Sequence, residues 1–293
     1  MRRLLPLLVF ALVAPLGAQD LRLPLRDGSL KFAIIGDSGT GGSEQLEVAR
    51  QLAIFRGRFP FEFAIMLGDN LYGRERPGDY TDKFERPYKP LLDAGVKFYA
   101  ALGNHDDPTQ RFYKPFNMNG ERYYSFRPKQ GVRFFALDSN LVDQKQLDWF
   151  EKELAGSGSD WKICFFHHPP YSSGGEHGSN VTLREQLEPL FVRHGVSVVF
   201  TGHEHFYERI KPQKGITYFI AGSSAKLRKG DIRRSELTAK GFDDGYTFML
   251  AEIVDDVLHF QTISHKGQTI DSGTIRRREQ DTTAARSQRS GGQ

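Results

Sequence analysis

Gly68-Asp69-Asn70-Leu71-Tyr72 follows the apolar run FEFAIML at 61–67, so a strand-like segment ends on a carboxylate with a phenol three residues later. One such ending is ordinary turn chemistry. The pattern recurs, however. KFAIIG at 31–36 runs into Asp37, KFYAAL at 97–102 and Gly103 into Asn104 and His105, WKICFF at 161–166 into His167, and VSVVFTG at 196–202 into His203. In open α/β sheets the carboxyl ends of the strands form the crevice where ligands bind. Five strand ends that use only Asp, Asn and His therefore deliver metal-type ligands to one rim.

Further short apolar runs, RFFALDS at 133–139, ITYFIAG at 216–222, YTFMLAEI at 246–253 and VLHFQTIS at 257–264, read as strands too, several buried on both faces. Helix-like segments lie between some of them, at 43–55, 143–154 and 183–194. Strands and helices alternate over the first two-thirds, which implies βαβ units, and the last strands follow closely as an antiparallel meander. The fold class expected is α/β, one domain of two stacked mixed β-sheets flanked by helices. Its 39% hydrophobic and 12% aromatic composition over 293 residues is ample for such a core.

The ends of the chain differ from this body. Residues 1–18, MRRLLPLLVFALVAPLGA, place Arg2 and Arg3 before an apolar run that closes on Gly17 and Ala18, the pattern of a secretory signal peptide. The run is shorter than the roughly 20 residues that span a bilayer and contains Pro6 and Pro15, so export is expected without stable membrane insertion. From Arg276 onward, RRREQDTTAARSQRSGGQ has no apolar periodicity and reads as a disordered basic tail over 276–293, leaving 19–275 as the folded body. The formal charge of +4 comes from these two ends, and a near-neutral body does not argue for nucleic-acid binding. Cys164, the only cysteine, lies in an apolar strand and can form no internal disulfide. KLRKGDIRR at 226–234 reads as a solvated loop, or else as a flank of the substrate entrance.

Six of the nine histidines, His105, His167, His168, His177, His203 and His205, fall in the rim segments, and a metal is their economical common partner. So many ligands suggest two metals. A pair of cations about 3.5–4 Å apart needs a bridging carboxylate, and Asp69 is the candidate. His203 and His205 can diverge toward neighbouring ions. A neutral phenol is a poor ligand for Zn or Mg, so coordination by Tyr72 implies a strongly acidic cation such as Fe(III).

GDSG, GDNLY, GNHD, HHPPYSSGGEHG and GHEHFYER, in this order from Asp37 to Arg209, resemble the five signature blocks of the calcineurin-like metallophosphoesterases. They resemble in particular the purple acid phosphatases of the small tartrate-resistant type, with a likeness extending over 30–275. Asp37 is followed by Ser38 and Gly39 where most metallophosphoesterases carry Asp-x-His, and Tyr72 stands where purple acid phosphatases supply tyrosine instead. The resemblance implies a four-layer α-β-β-α sandwich. It implies that Asp37, Asp69, Tyr72 and His205 hold Fe(III), and that Asp69, Asn104, His167 and His203 hold a divalent Fe, Zn or Mn. His167 is followed by Pro169 and Ser172 at the family's spacing; the alternative frame is His168 with Pro170 and Ser173. His105 and His177 resemble the substrate-side histidines, with Glu176 accompanying His177 as the proton donor, although the step from His167 to His177 is one residue longer than in that type.

The implied activity is hydrolysis of phosphate monoesters of small molecules by water activated at the binuclear centre, in a secreted, periplasmic or cell-surface monomer. Two other readings stay open at this point. One is a phosphodiesterase or nucleotide pyrophosphatase of the same fold with a Zn, Mn or Fe(II) pair. The other is a binding protein of this fold without catalysis.

Overall fold

In a computed structural model, which describes residues 20–279, thirteen strands form two mixed sheets that face one another. The strands are β1 (Leu30–Ile35), β2 (Phe63–Met66), β3 (Lys97–Ala100), β4 (Tyr124–Lys129), β5 (Val132–Ala136), β6 (Trp161–Phe165), β7 (Val198–Thr201), β8 (Tyr207–Ile210), β9 (Thr217–Ala221), β10 (Thr238–Phe242), β11 (Thr247–Val254), β12 (Val257–Ser264) and β13 (Thr269–Arg276). The first sheet has the order β13-β12-β11-β1-β2-β3 and the second β10-β8-β9-β7-β6-β5-β4. Strands β1, β2 and β3 run parallel, as do β5, β6, β7 and β9, while β11, β12 and β13 form the antiparallel meander.

The apolar runs are continuous because each strand has two buried faces. Successive residues of β5 show this: Phe134 points between the sheets, edge-on to Phe32 of β1 at 5.1 Å, while Phe135 meets Phe150 on the helix side at 5.6 Å. Phe219 and Phe260 close the same inter-sheet core at 4.9 Å. Outside the first sheet lies α1 (Ser43–Arg56), whose Phe55 packs on Phe248; α2 (Pro77–Tyr80) and α3 (Lys89–Asp93) follow in the same segment. Outside the second lie α4 (Gln144–Ala155) and α5 (Val181–His194), capped by Asp143 and Asn180. The four-layer sandwich is the expected one. Cys164 is fully buried beneath the α4 and α5 layer, which pushes its thiol pKa up and keeps it inert.

Four strands, β4, β8, β10 and β13, lie outside the nine expected from apolar runs. Of these, β4, β10 and β13 are outer strands of their sheets, with exposed positions that interrupt the apolar pattern. At the expected start of the tail, β13 runs through Arg276, Arg277 N donates to Asp256 O at 2.9 Å, and Arg278 N to Ser197 Oγ at 3.0 Å. Residues 1–18 and 280–293 lie outside the described residues, so the expectations for them stand apart from this structure.

Candidate metal centre

The parallel strands of both sheets end on the same edge, which brings the five motif ends together across the sandwich. Three of their residues, Asp37, Asp69 and His203, have φ of +54°, +51° and +67°, a left-handed backbone that side chains other than Gly rarely adopt. Such strain is held where surrounding structure over-determines it. Here the loops interlock: Asp37 N donates to Gly68 O at 3.1 Å, Tyr72 N to Gly39 O at 2.9 Å, and His203 N to Asp37 Oδ2 at 3.0 Å. A Cβ at Gly103 would collide with the Asp69 carboxylate, and one at Gly202 with that of Asp37, so the glycines that precede Asn104 and His203 are required by close approach.

The side chains form two groups. In the first, Tyr72 hydroxyl donates to Asp37 Oδ1 at 3.2 Å and lies 3.2 Å from His205 Nε2, which is itself 3.5 Å from Asp37 Oδ1. In the second, Asn104 Oδ1 is 2.9 Å from His167 Nε2 and 3.0 Å from His203 Nδ1, and the two ring nitrogens are 3.1 Å apart. Asp69 joins them. Its Oδ1 lies 3.4 Å from His167 Nε2, and its carboxylate clusters within 4.8 Å of Asp37 and His205.

The chemistry of these donors fits a cation. Burial, then the Asp69 charge, pushes the Asp37 carboxyl well above its ordinary range, and among the described residues no Lys or Arg pairs with either carboxylate. Burial holds His203 down to about 2 and His205 to about 3, so both imidazoles are neutral with a lone pair to offer. His167 Nδ1 lies 2.9 Å from Leu67 O, which can only accept, so Nδ1 carries the proton. Its Nε2 lone pair then faces Asn104 Oδ1 and Asp69 Oδ1, two acceptors with no proton between. That repulsion is relieved when a metal sits among them, and a backbone carbonyl on the other ring nitrogen is the usual support of a metal-binding imidazole.

His168 has the opposite arrangement. Its Nδ1 is 2.9 Å from Ser139 Oγ, and its ring lies 4.4 Å from that of His203. His105 is exposed beside Tyr72, with ring centroids 5.0 Å apart, and its backbone N donates to Asp69 Oδ1 at 3.1 Å. His177 stacks on His203 at 4.3 Å. Its Nε2 accepts from Arg228 Nη2 at 2.9 Å, while exposed Glu176 makes no hydrogen bond to it among the described residues.

Arg228 also divides the 226–234 segment, which is not uniformly solvated. Its backbone N donates to His205 O at 2.9 Å, and Lys226 Nζ stands 4.5 Å over the Tyr72 ring, whereas Lys229, Arg233 and Arg234 are exposed. Two buried carboxylates beside the ligands also escaped the motif reading. Asp106 accepts from Gly103 N, Asn70 N, Leu71 N and Gln110 Nε2 at 2.7–3.1 Å, and burial, then the Asp69 charge, raises it to about 7. Glu204 accepts from Gly178 N at 2.7 Å and Ser172 Oγ at 3.2 Å, which fixes the loop that carries His177. The sequence shows them only as carboxylates next to candidate ligands in GNHD and GHEH.

The family model of the calcineurin-like phosphoesterases matches residues 30–207. The chain belongs to that family. Membership makes it a metal-dependent phosphoric ester hydrolase, and family relatives imply a dimetal centre. It is 26% identical over 270 residues to purple acid phosphatase 17 of Arabidopsis thaliana, covering 77% of this chain and 78% of that protein. It is 27% identical over 251 residues to human tartrate-resistant acid phosphatase type 5, covering 70% and 77%. The fold is shared with purple acid phosphatase PPD1 from yellow lupin seeds, at TM-score 0.72 and 21% identity over 87% of this chain and 55% of that one. It is shared equally with GAP50, the anchor in the inner membrane complex of Plasmodium, at TM-score 0.75 and 18% identity over 87% and 90%. Among the described residues no helix is long and apolar enough to cross a membrane.

Proposed function

We propose that this calcineurin-like phosphoesterase is a phosphomonoesterase of the purple acid phosphatase type with two unlike metals. The observation that supports this most is the Tyr72 hydroxyl, 3.2 Å from both Asp37 Oδ1 and His205 Nε2, in a first block that offers no histidine of its own. Asp37, Asp69, Tyr72 and His205 would hold Fe(III), and Asp69, Asn104, His167 and His203 a divalent Fe, Zn or Mn. His167 rather than His168 takes this role because its free lone pair faces the group. When bound, the pair would acidify water and neutralise charge on the phosphoryl oxygens.

The chain's own residues then act around that centre. Burial and the two carboxylates push the Tyr72 phenol far up, so it keeps its proton unless a strongly acidic cation displaces it. His105, exposed at the rim, would contact the phosphoryl oxygens. His177 would serve the leaving group as proton donor, for which it must first exchange Arg228 at Nε2. Glu176 would act on it through charge alone. Residues 1–18 would direct export of a body beginning near residue 19, and the protein would act as a monomer on small phosphorylated substrates.

Rates on p-nitrophenyl phosphate and bis(p-nitrophenyl) phosphate at acidic and neutral pH test the reading. Higher kcat/KM on the monoester at acidic pH is expected. Preference for the diester would replace it with the phosphodiesterase reading.

A further inference from the structure

His167 and His168 are adjacent in sequence yet carry their protons on opposite ring nitrogens. For His168 the partner is Ser139 Oγ, which accepts from the His168 backbone N at 3.0 Å and lies 2.9 Å from the ring Nδ1. A serine hydroxyl has one proton to give, and among the described residues His168 Nδ1 is its only hydrogen-bonding acceptor. With the hydroxyl donating to Nδ1, the ring proton stands on Nε2. The opposite tautomer would leave the Ser139 O–H, nearly buried, with no acceptor.

The position of this N–H decides what it can do. His168 lines an open cleft of about 330 Å³ together with His177, Ser179, Thr182 and His203, and its Nε2 has no hydrogen-bond partner among the described residues. A ligand-type nitrogen of His168 lies within 4.8 Å of those of His167 and His203. The donor is also held in register with the second ligand group. Ser139 follows shortly after β5, and the next residue, Asn140, donates from Nδ2 to Gly103 O at 3.1 Å, immediately before Asn104.

We propose that His168, held by Ser139 as its Nε2–H tautomer, is a substrate-binding residue that donates a hydrogen bond to a phosphoryl oxygen at the His167/His203 side of the centre. This goes beyond the ligand and acid roles above and rests on the reading that the centre binds phosphate esters. A third metal-binding imidazole is the competing assignment. It requires a lone pair on Nε2, which the Ser139 arrangement removes.

The test uses the metal-loaded, full-length mature protein, with inorganic phosphate as the probe in titration calorimetry and metal content measured on each sample. His168→Ala should keep both metals and bind phosphate about tenfold more weakly, the size of one charge-assisted hydrogen bond. His168→Gln, whose amide nitrogen falls near the Nε2 position, should recover most of the loss; His168→Asn, whose amide falls near Nδ1, should not. Ser139→Ala should weaken binding less than His168→Ala. Loss of a metal in His168→Ala would assign a ligand instead, and unchanged phosphate affinity would remove the donor. Equal behaviour of the Gln and Asn variants would reduce His168 to packing, a comparison that holds even where the Ala variant fails to fold. A wild-type protein with two metals that binds no phosphate would overturn the phosphatase reading itself, and this inference with it.

Discussion

The Asp37/Tyr72/His205 group and the Asn104/His167/His203 group lie side by side and share Asp69, yet they are built differently. The first is oxygen-rich, and its carboxylates are buried with no Lys or Arg pairing among the described residues. The second is nitrogen-rich, with Asn104 exposed and His203 half-buried next to an open cleft. Hard, highly charged cations prefer the oxygen set, and borderline divalent ions prefer imidazole. The difference teaches that one edge of one sandwich can offer two unlike donor sets, set apart by local burial and donor type.

The largest effect that would break this comparison comes from the shared residue. Asp69→Ala should lose both metals and lower kcat by about a thousandfold or more, since the metals supply several kcal/mol of charge stabilisation. Full activity with two metals retained would remove Asp69 as the bridge. Next, His203→Ala should release the divalent metal and leave the iron, with kcat down by about a hundredfold or more. Metal analysis showing equal loss of both ions would mean that the two groups are not separable.

A pH dependence sharpens the contrast in the metal-free protein. Asp106, whose ordinary pKa is about 3.9, is raised to about 7 in the fold, and Asp37 moves in the same direction. A carboxyl raised on folding stabilises fully below its unfolded pKa, and that contribution is lost as pH rises through the folded value. The Asp106 share of stability, read in metal-free protein as the melting temperature of wild type minus that of Asp106→Asn, should therefore fall between about pH 4 and pH 7, while His203 and His205, held low by the fold, give an opposite slope that is common to both proteins and cancels in the difference. A difference that rises steadily over that window would contradict the account of the buried carboxylates. The smallest effect belongs to Lys226→Gln, which removes a half-buried cation from the face of Tyr72. Metal content should stay unchanged and KM rise only a few-fold, in line with about 0.5–1 kcal/mol for such a contact.

Much of this was legible before any coordinates. Strands buried on both faces announce themselves as apolar runs, and their polar ends name the rim residues from Asp37 to His205. What stayed hidden depends on partners far along the chain. The assignment of His167 over His168 turns on the Leu67 carbonyl, one hundred residues away. Asp106 and Glu204 matter largely through backbone N–H groups of other loops, Asn70 and Leu71 for Asp106 and Gly178 for Glu204, a role their neighbours in sequence do not reveal. The outer strands β4, β10 and β13 escaped because exposure at sheet edges erases the apolar signal, and Lys226 and Arg228 because a run of charges looks the same whether it faces water or a centre.

The most direct test of the two unlike halves is the visible absorption spectrum of the mature protein and of Tyr72→Phe, each with its metal content. A purple band in the wild type, with iron and a second metal bound, that disappears in Tyr72→Phe is the predicted result. A colourless wild type that holds two metals after oxidation would contradict the tyrosinate–Fe(III) half and move the assignment to a phosphodiesterase or pyrophosphatase of the same fold.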